Sequence, residues 1–262
     1  MKISVLGCGW LGLPLAQELV MSGHSVKGST TTADKLRTMK DYGIEPYMVD
    51  LNDRKSNNNV FLDNSDLLII NVPPKTSLAH QPNYLEKMTR LADDVSISSV
   101  NKVIFVSSTS VYSDNNAVVT ESTLPDPSTD SAKLLLESEN VFISNQDFVT
   151  TVLRFGGLIG KDRHPVFSMA GKTQLKNPDA PVNLIQQEDC IQLILEIINN
   201  SAFGEVFNAA APDHPTREYY YSKKANELGL SIPIFDHSAA SVGKTISSEK
   251  VTATFNFKFS TI

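Results

Sequence analysis

The chain has 262 residues, 41% of them hydrophobic, which is enough for one α/β core with a smaller appended lobe. The formal net charge of −6, the isoelectric point near 5.4 and the lack of a basic run argue against nucleic acid as a partner. The two cysteines, Cys8 and Cys190, lack the spacing of a metal site or a disulfide framework, which favours a reducing compartment. No apolar stretch is long enough to span a membrane, so we expect a cytoplasmic protein without a membrane partner.

Short β-rich runs alternate with helix-type spacing, which predicts an α/β fold with a doubly wound parallel sheet. A G-x-G-x-x-G motif directly after the first of these runs indicates that this is the NAD(P)-binding Rossmann architecture. The predicted strands are residues 2–6, 25–29, 45–49, 67–71, 102–107, 149–153 and 205–208. The predicted helices are residues 11–21, 33–42, 78–98, 130–144 and 187–199. Residues 53–64, which contain three successive asparagines, are predicted to form a polar surface loop.

The regular alternation fades after about Phe155, where prolines punctuate a loop-rich second part of the chain. We therefore assign residues 1–155 to a dinucleotide-binding core. Residues 156–262 are expected to complete the sheet and to form a small substrate lobe within the same structural unit. In doubly wound sheets, ligands sit outside the carboxyl ends of the strands, where such a lobe can cover a substrate.

The first predicted strand runs directly into a G-x-G-x-x-G motif formed by Gly7, Gly9 and Gly12. In a dinucleotide site, the first glycine permits the tight turn, the second lets the main chain approach a pyrophosphate, and the third lets the helix pack close to the strand. Trp10 and Leu11 lie between these glycines at the start of the helix, whose free N–H groups and partial positive charge favour phosphate. The motif therefore predicts dinucleotide binding by these five residues.

The end of the second predicted strand bears on which dinucleotide is bound. An NAD-selective site places Asp or Glu about 20 residues after the glycines, but this strand runs into Thr30 and Thr31, followed by Lys35 and Arg37. Hydroxyl and cationic groups suit a 2′-phosphate, so we expect NADP to be preferred to NAD. The alternative is that the threonines cap the next helix and the two cations are its solvated face.

Three later stretches carry a resemblance to a known family. Residues 106–112 read V-S-S-T-S-V-Y and are followed by Thr120-Glu121, Pro125 and Lys133; residues 153–160 read L-R-F-G-G-L-I-G, and residues 208–217 read N-A-A-A-P-D-H-P-T-R. With these stretches the chain resembles the extended short-chain dehydrogenase/reductase superfamily, in particular the NAD(P)-dependent epimerase/dehydratase group and its atypical, sugar-nucleotide epimerase-like bacterial branch. The resemblance covers essentially the whole chain.

The resemblance implies roles for three side chains near the predicted fifth strand. Ser108 falls where a Ser or Thr polarises the reacting oxygen, and Lys133 falls where a Lys holds the nicotinamide ribose and lowers the pKa of a Tyr four residues earlier. In this chain the Tyr position holds Thr129, whose hydroxyl is too weak an acid to replace a phenol. The alternatives are that residues 107–110 are only a strand-exit turn and that Lys133 is a solvated charge. Tyr112 of the V-Y element is normally structural.

Two other strand ends contain candidate cofactor residues. After the third strand, Asp50 and the adjacent Leu51 are expected near the adenine. The Asp50 carboxylate would accept a hydrogen bond from the adenine amino group, and its alternative role is loop capping. After the fourth strand, the resemblance places Asn71, Val72 and Pro73 beside the pyrophosphate or the nicotinamide ribose; their alternative is a proline-stopped strand end. The glycine spacing departs from the G-x-x-G-x-x-G more usual in the superfamily, which points to the atypical branch.

Two classes of function follow from the resemblance. The first is an NAD(P)-dependent oxidoreductase or epimerase/dehydratase-like enzyme acting on a small polar substrate such as a nucleotide sugar. The alternative, favoured by Thr129, is a catalytically degenerate NADP(H)-binding regulatory or scaffold protein. An enzyme that takes its acid from the C-terminal lobe also stays open. The resemblance further implies a homodimer through the helix at residues 78–98, whose alternative is packing on its own sheet.

Several basic residues fall in the segments expected to face the substrate lobe: Arg154, Arg163, His164 and Arg217. Arginine suits a phosphate or carboxylate of a ligand, and the alternative for each residue is an intramolecular pair. The five histidines show no metal-binding pattern, so we expect no metal site.

Overall fold

The computed structural model describes residues 1–53, 58–74 and 84–262. The chain begins with β1 (Lys2–Leu6), α1 (Gly12–Met21), β2 (Ser25–Thr30), α2 (Lys35–Asp41), β3 (Glu45–Met48), α3 (Asn58–Leu62), β4 (Leu67–Ile70), α4 (Tyr84–Ser96), β5 (Lys102–Ser108) and β6 (Val118–Val119). It continues with α5 (Asp130–Ile143), β7 (Val149–Phe155), β8 (Gly157–Ile159), α6 (Val166–Met169), β9 (Leu184–Gln186), α7 (Gln187–Asn199), β10 (Val206–Ala209), α8 (Arg217–Glu227), β11 (Thr245–Ile246) and α9 (Glu249–Phe255).

Among the described residues, seven strands form one sheet in the order β10-β7-β5-β4-β1-β2-β3. β1 pairs in parallel with β2 and with β4, and the pairs β2–β3 and β4–β5 are also parallel. The side chains of β4 are buried throughout, as its L-L-I-I sequence requires of a strand covered on both faces. The chain order reverses between β1 and β4, and doubly wound sheets bind ligands beyond the carboxyl ends at such a point. The predicted fold class is confirmed.

The predicted elements of this sheet agree with the observed ones to within a few residues. Two predictions concern segments next to undescribed residues. The polar loop predicted at residues 53–64 is wrong in part: residues 54–57 lie outside the described residues, but α3 follows them because Phe61 and Leu62 are buried in the core. Of the helix predicted at residues 78–98, residues 78–83 lie outside the described residues, and α4 accounts for most of the remainder. The apolar stripe of α4 is buried within the chain.

The described chain divides into two compact units. The first consists of Met1–Ser107, Thr129–Leu153 and Ile191–Val206, and the second of Ser108–Ser128, Arg154–Cys190 and Phe207–Ile262. The second unit has a hydrophobic cluster of its own, which includes Ile159, Leu184 and Phe235. The boundary near residue 155 that the sequence suggested stays a prediction. In the part of the chain that the structure describes, no helix is long and apolar enough to cross a membrane.

Candidate functional site

The turn after β1 contains two glycines that leave no room for a side chain. Gly7 has a φ of +98°, in the left-handed region, and a Cβ there would lie 2.6 Å from the carbonyl oxygen of Asn71. A Cβ on Gly12 would lie 2.1 Å from the carbonyl oxygen of Gly7. A Cβ on Gly9, in contrast, would meet no described atom within 4 Å. The turn is therefore closely packed at its two ends and open at Gly9.

Hydrogen bonds from the neighbouring strands fix this turn. The main-chain N–H of Gly7 donates to Oγ of the buried Ser29 (2.9 Å), and that of Cys8 donates to the Ser29 carbonyl (2.8 Å). From the end of β4, Nδ2 of Asn71 donates to the carbonyl of Gly7 (3.1 Å). Within the part of the chain that the structure describes, no side chain caps the N-terminus of α1. The main chain around Gly9 thus combines a fixed shape with an uncapped helix start, which is the arrangement that binds phosphate.

Cys8 lies inside the turn and is buried. Burial raises the pKa of its thiol to about 12, so the sulfur stays protonated at neutral pH. A backbone hydrogen bond from Ser29 and the positive charge of Lys35 both act to lower the same pKa. The ammonium of Lys35 is therefore close enough to the glycine turn for its charge to act there, whereas Cys8 is a packing residue.

The threonines after β2 form a local turn. Oγ1 of the buried Thr30 accepts from the main-chain N–H of Thr32 (3.0 Å). Thr31, Lys35 and Arg37 are exposed. Among the described residues no side chain caps the N-terminus of α2, so the threonines are not its caps, whereas Lys35 and Arg37 do lie on its exposed face. Three polar groups at this strand end thus remain exposed to solvent.

The predicted residues after β3 and β4 make local contacts. Oδ1 of Asp50 accepts from both nitrogens of Asn52, at 2.9 and 2.7 Å, and the carbonyl of Leu51 accepts from Nη2 of Arg90 (2.8 Å). Asp50 therefore performs the loop-capping role that was its alternative. At the end of β4, Pro73 is exposed, whereas Val72 is half-buried.

Tyr84, at the start of α4, holds the main chain after β4. Its Oη donates to the carbonyl of Val72 (2.7 Å). Burial, with a smaller contribution from the negative charge of Glu139, raises the pKa of Tyr84, so the phenol stays protonated and remains a donor. Sequence patterns do not reveal this contact because the two residues are on different elements.

The end of β5 is held by a buried carboxylate. The hydroxyl of Ser107 donates to Oε1 of Glu139, and both side chains are buried. Oγ of Ser108, the next residue, accepts from the main-chain N–H of Ser110 (3.1 Å), as in the strand-exit turn that was its alternative. Ser108 itself is partly exposed.

Sequence reasoning missed Glu139, although a signal for it exists. On α5, Glu139 is four residues after Leu135 and three before Phe142, so it lies on the apolar stripe of the helix, and all three side chains are buried. A charged residue on the buried face of a helix requires a partner, which Ser107 supplies.

The two predicted catalytic residues at the start of α5 make contacts within that helix. Oγ1 of Thr129 accepts from the main-chain N–H of Ala132 (3.3 Å), so Thr129 is the N-cap. Lys133 forms an ion pair with Asp130 (3.6 Å), and the two side chains are 56% and 98% exposed. The structure thus uses Thr129 to begin the helix and leaves the Lys133 ammonium in solvent.

In the second unit, Tyr112 and Arg154 belong to a buried polar network. Nη1 of Arg154 donates to Oη of Tyr112 (2.6 Å), which donates to Oδ1 of Asn208 (3.0 Å). The main-chain N–H of Asn208 donates to Oε1 of Glu121 (2.8 Å). Arg154 therefore forms an intramolecular pair and Tyr112 is structural. Among the described residues, no group accepts from Nδ2 of Asn208, and no cluster of His, Cys, Asp or Glu is arranged to hold a metal ion.

The fold matches several solved structures. A short-chain dehydrogenase/reductase superfamily protein from Agrobacterium tumefaciens with bound NAD aligns with a TM-score of 0.81 and 17% identity, over 100% of this chain and 93% of that one. UDP-glucuronic acid 4-epimerase from Bacillus cereus in complex with NAD aligns with a TM-score of 0.82 and 18% identity, over 100% and 94%. A functionally unknown conserved protein from Silicibacter pomeroyi aligns with a TM-score of 0.80 and 19% identity, over 98% and 93%.

The fold is therefore that of the NAD-dependent epimerase/dehydratase and short-chain dehydrogenase/reductase proteins. Among curated proteins, Protein YeeZ of Escherichia coli strain K12 and of E. coli O157:H7 are each 34% identical to this chain over 264 aligned positions, which cover 98% of the chain and 95% of each relative. The chain belongs to the same family as Protein YeeZ. No model of a known protein family matches it.

Proposed function

We propose that this protein binds a nicotinamide dinucleotide at the turn after β1. The observation that carries the proposal is the contrast among the glycines: Gly7 and Gly12 pack against main-chain atoms, whereas Gly9 borders open space. A pyrophosphate would lie against the main chain of residues 9–12, where the uncapped α1 offers N–H groups. The proposal is further supported by the NAD bound in two solved structures of the same fold.

Within this proposal, NADP is preferred to NAD. The exposed hydroxyl of Thr31 and the exposed cations of Lys35 and Arg37 suit the 2′-phosphate. Asp34 is the first carboxylate after β2. If the protein were selective for NAD, Asp34 would accept a hydrogen bond from the ribose 2′-hydroxyl.

The remaining predicted cofactor residues belong to the same proposal. Asp50 and Leu51 would lie near the adenine, and Asn71, Val72 and Pro73 near the pyrophosphate or the nicotinamide ribose. The hydrogen bonds of the Asn71 amide to Gly7 and of Tyr84 to Val72 support it, because they hold this main chain in a fixed position. A preformed main chain lowers the ordering cost of binding.

We propose that the protein catalyses an oxidoreductase or epimerase/dehydratase-like reaction on a small polar substrate such as a nucleotide sugar. The nicotinamide, when bound, supplies a hydride donor or acceptor. Ser108 would polarise the carbonyl oxygen, since its partly exposed hydroxyl has a proton to donate while Oγ accepts from Ser110. Lys133 would leave its exposed ion pair with Asp130 to bind the ribose. The free-energy cost of breaking this pair is small, because exposed ion pairs contribute little to stability.

A second candidate function is an NADP(H)-binding regulatory or scaffold protein without chemistry. It is favoured by Thr129, whose oxygen caps α5 where the resembled enzymes carry a phenol. The homodimer is a further part of the proposal. Sedimentation of the purified protein tests the homodimer, and a monomer at high concentration would dismiss it.

Titration of the purified protein with NADPH and with NADH in the same low-phosphate buffer, followed by nicotinamide fluorescence, tests the cofactor. We expect binding of both and tighter binding of NADPH. Tighter binding of NADH would overturn the 2′-phosphate assignment and favour Asp34 at the ribose. A screen of carbonyl substrates with NADPH then separates the two functions, because turnover supports the enzyme and a blank with intact binding supports the regulator.

A further inference from the structure

A cavity of about 500 Å³ lies in the second unit, along α8 and the loop before it. Its volume is in the range of small-molecule sites. Its walls include Tyr219, Tyr220, Lys223 and Lys224 of α8. These residues carry no role in the function proposed above, and all the described residues that line the cavity belong to the second unit.

The proton on His164 next to this cavity can be assigned from its contacts. Nδ1 of His164 accepts from the main-chain N–H of Val166 (3.1 Å), so the ring proton is on Nε2. Burial, with a smaller contribution from the positive charge of Lys224, lowers the pKa of His164 to about 4, so the ring is neutral at pH 7. Nε2 therefore donates to Oη of Tyr220 (2.9 Å), and the two rings stack with centroids 5.7 Å apart.

This assignment leaves the hydroxyl proton of Tyr220 available. The Tyr220 side chain is 5% exposed and lines the cavity, and within the described residues no group accepts its hydroxyl proton. Burial is the main reason that the pKa of Tyr220 is raised, so the hydroxyl keeps its proton at physiological pH. Tyr220 is thus an oriented, uncharged donor in the cavity wall.

Two cations lie beside this donor. Lys224 is four residues after Tyr220 on the same face of α8, and its positive charge acts on His164. Nζ of Lys224 and Nζ of Lys223 pair with Glu227 at 3.5 and 4.0 Å, and their side chains are 29% and 60% exposed. Exposed ion pairs of this kind are weak, so a ligand anion can replace Glu227 as the partner of the ammonium groups.

We propose that this cavity binds a small oxyanion, the phosphate or carboxylate group of a small molecule, between the Tyr220 hydroxyl and Nζ of Lys224. An oxyanion accepts from both donors at once, and hydrogen bonds to a charged acceptor are the stronger kind. Glu227 and Asp213 also line the cavity, so the oxyanion has to displace the Glu227 carboxylate from the two ammonium groups when it binds. The exposed ring of Tyr219 offers an apolar wall for the rest of the molecule.

The test is a titration of ¹⁵N-labelled protein with inorganic phosphate, read from the amide resonances of residues 213–227. The variants are Tyr220→Phe and Lys224→Gln, and the control is Tyr221→Phe, an equally buried hydroxyl on the same helix that does not line the cavity. We expect the dissociation constant to rise about fivefold in Tyr220→Phe and about tenfold in Lys224→Gln, and to stay unchanged in the control.

Equal dissociation constants in all four proteins, or no response of these resonances to phosphate, would overturn the proposal. Succinate titrated in parallel distinguishes the two sources of the oxyanion: a stronger response to phosphate assigns a phosphate ester, and a stronger response to succinate assigns a dicarboxylate. The result is independent of dinucleotide binding, because the resonances report on the second unit and no nucleotide is present.

Discussion

The hydroxyl of Ser107 donates a hydrogen bond to the carboxylate of Glu139 in the interior of the protein. The contact joins the carboxyl end of β5 to the middle of α5. A buried carboxylate is tolerated only when hydrogen bonds replace its lost hydration. The residue that follows Ser107 is the proposed carbonyl-polarising Ser108, so this bond fixes the main chain from which that side chain extends.

We expect Glu139→Ala to lower the free energy of unfolding by about 2–3 kcal/mol, because it leaves the Ser107 hydroxyl without its acceptor and opens a cavity. Urea unfolding measures the change. Glu137→Ala, at an exposed position of the same helix, is the control and should change stability by less than about 0.5 kcal/mol. Equal effects of the two substitutions would show that the buried bond contributes nothing.

The glycines of the turn should differ in their tolerance of alanine. Gly12→Ala would bring a Cβ to 2.1 Å from the Gly7 carbonyl, so the helix must shift and we expect a loss of stability. Its size should be about 2 kcal/mol or more, as for other overpacked sites. The Cβ of Gly9→Ala would meet no atom of the described residues within 4 Å, so this substitution should leave the urea midpoint almost unchanged. Equal destabilisation by the two variants would mean that the observed turn geometry is incorrect.

Thr129 should behave as a helix cap. Thr129→Ala removes the acceptor for the Ala132 N–H and should lower stability by about 1 kcal/mol, whereas Thr129→Ser should retain it. Thermal or urea unfolding of the three proteins measures this. Dinucleotide affinity should be the same in all of them. A loss of affinity in Thr129→Ala without a loss of stability would instead assign the hydroxyl to the binding site.

The titration of His164 should make the free energy of unfolding fall as the pH is lowered. Its pKa is lowered from 6.5 to about 4 in the folded protein, mainly by burial, so the folded state favours the neutral ring. The stability that this contributes is fully present above pH 6.5 and is lost as the pH falls towards 4. His164→Asn keeps an acceptor for the Val166 N–H but cannot titrate. We expect its free energy of unfolding to fall less than that of the wild type between neutral pH and pH 4, and an identical fall would contradict the assignment.

The strand–turn–helix unit around the glycine turn could be predicted because the signals there are local. β1 is a short run rich in apolar residues, β4 is a continuous apolar run, and Gly7, Gly9 and Gly12 follow β1 directly with the spacing typical of a dinucleotide-binding turn. The second unit was not predictable in the same way. β8 and β9 are three residues long, which is too short for a period of two to be recognised.

The site was predictable at the level of the main chain and much less so for side chains. The sequence indicates that Asn71 follows β4, but its hydrogen bond to the Gly7 carbonyl depends on the pairing of β1 with β4. The use of the Thr129 oxygen as an N-cap depends on where α5 begins, and the choice of Ser107 as the partner of Glu139 depends on how α5 packs against β5. These are long-range packing outcomes that residue spacing does not encode.

A comparison of the wild type with Gly9→Ala tests whether a dinucleotide binds at the glycine turn. Both proteins are titrated with NADPH by nicotinamide fluorescence, and their urea unfolding is measured in the same buffer. We expect the wild type to bind and Gly9→Ala to bind at least about tenfold more weakly, about 1.4 kcal/mol, with stability retained. Equal affinity of the two proteins, or no binding of NADPH by the wild type, would contradict dinucleotide binding at the glycine turn.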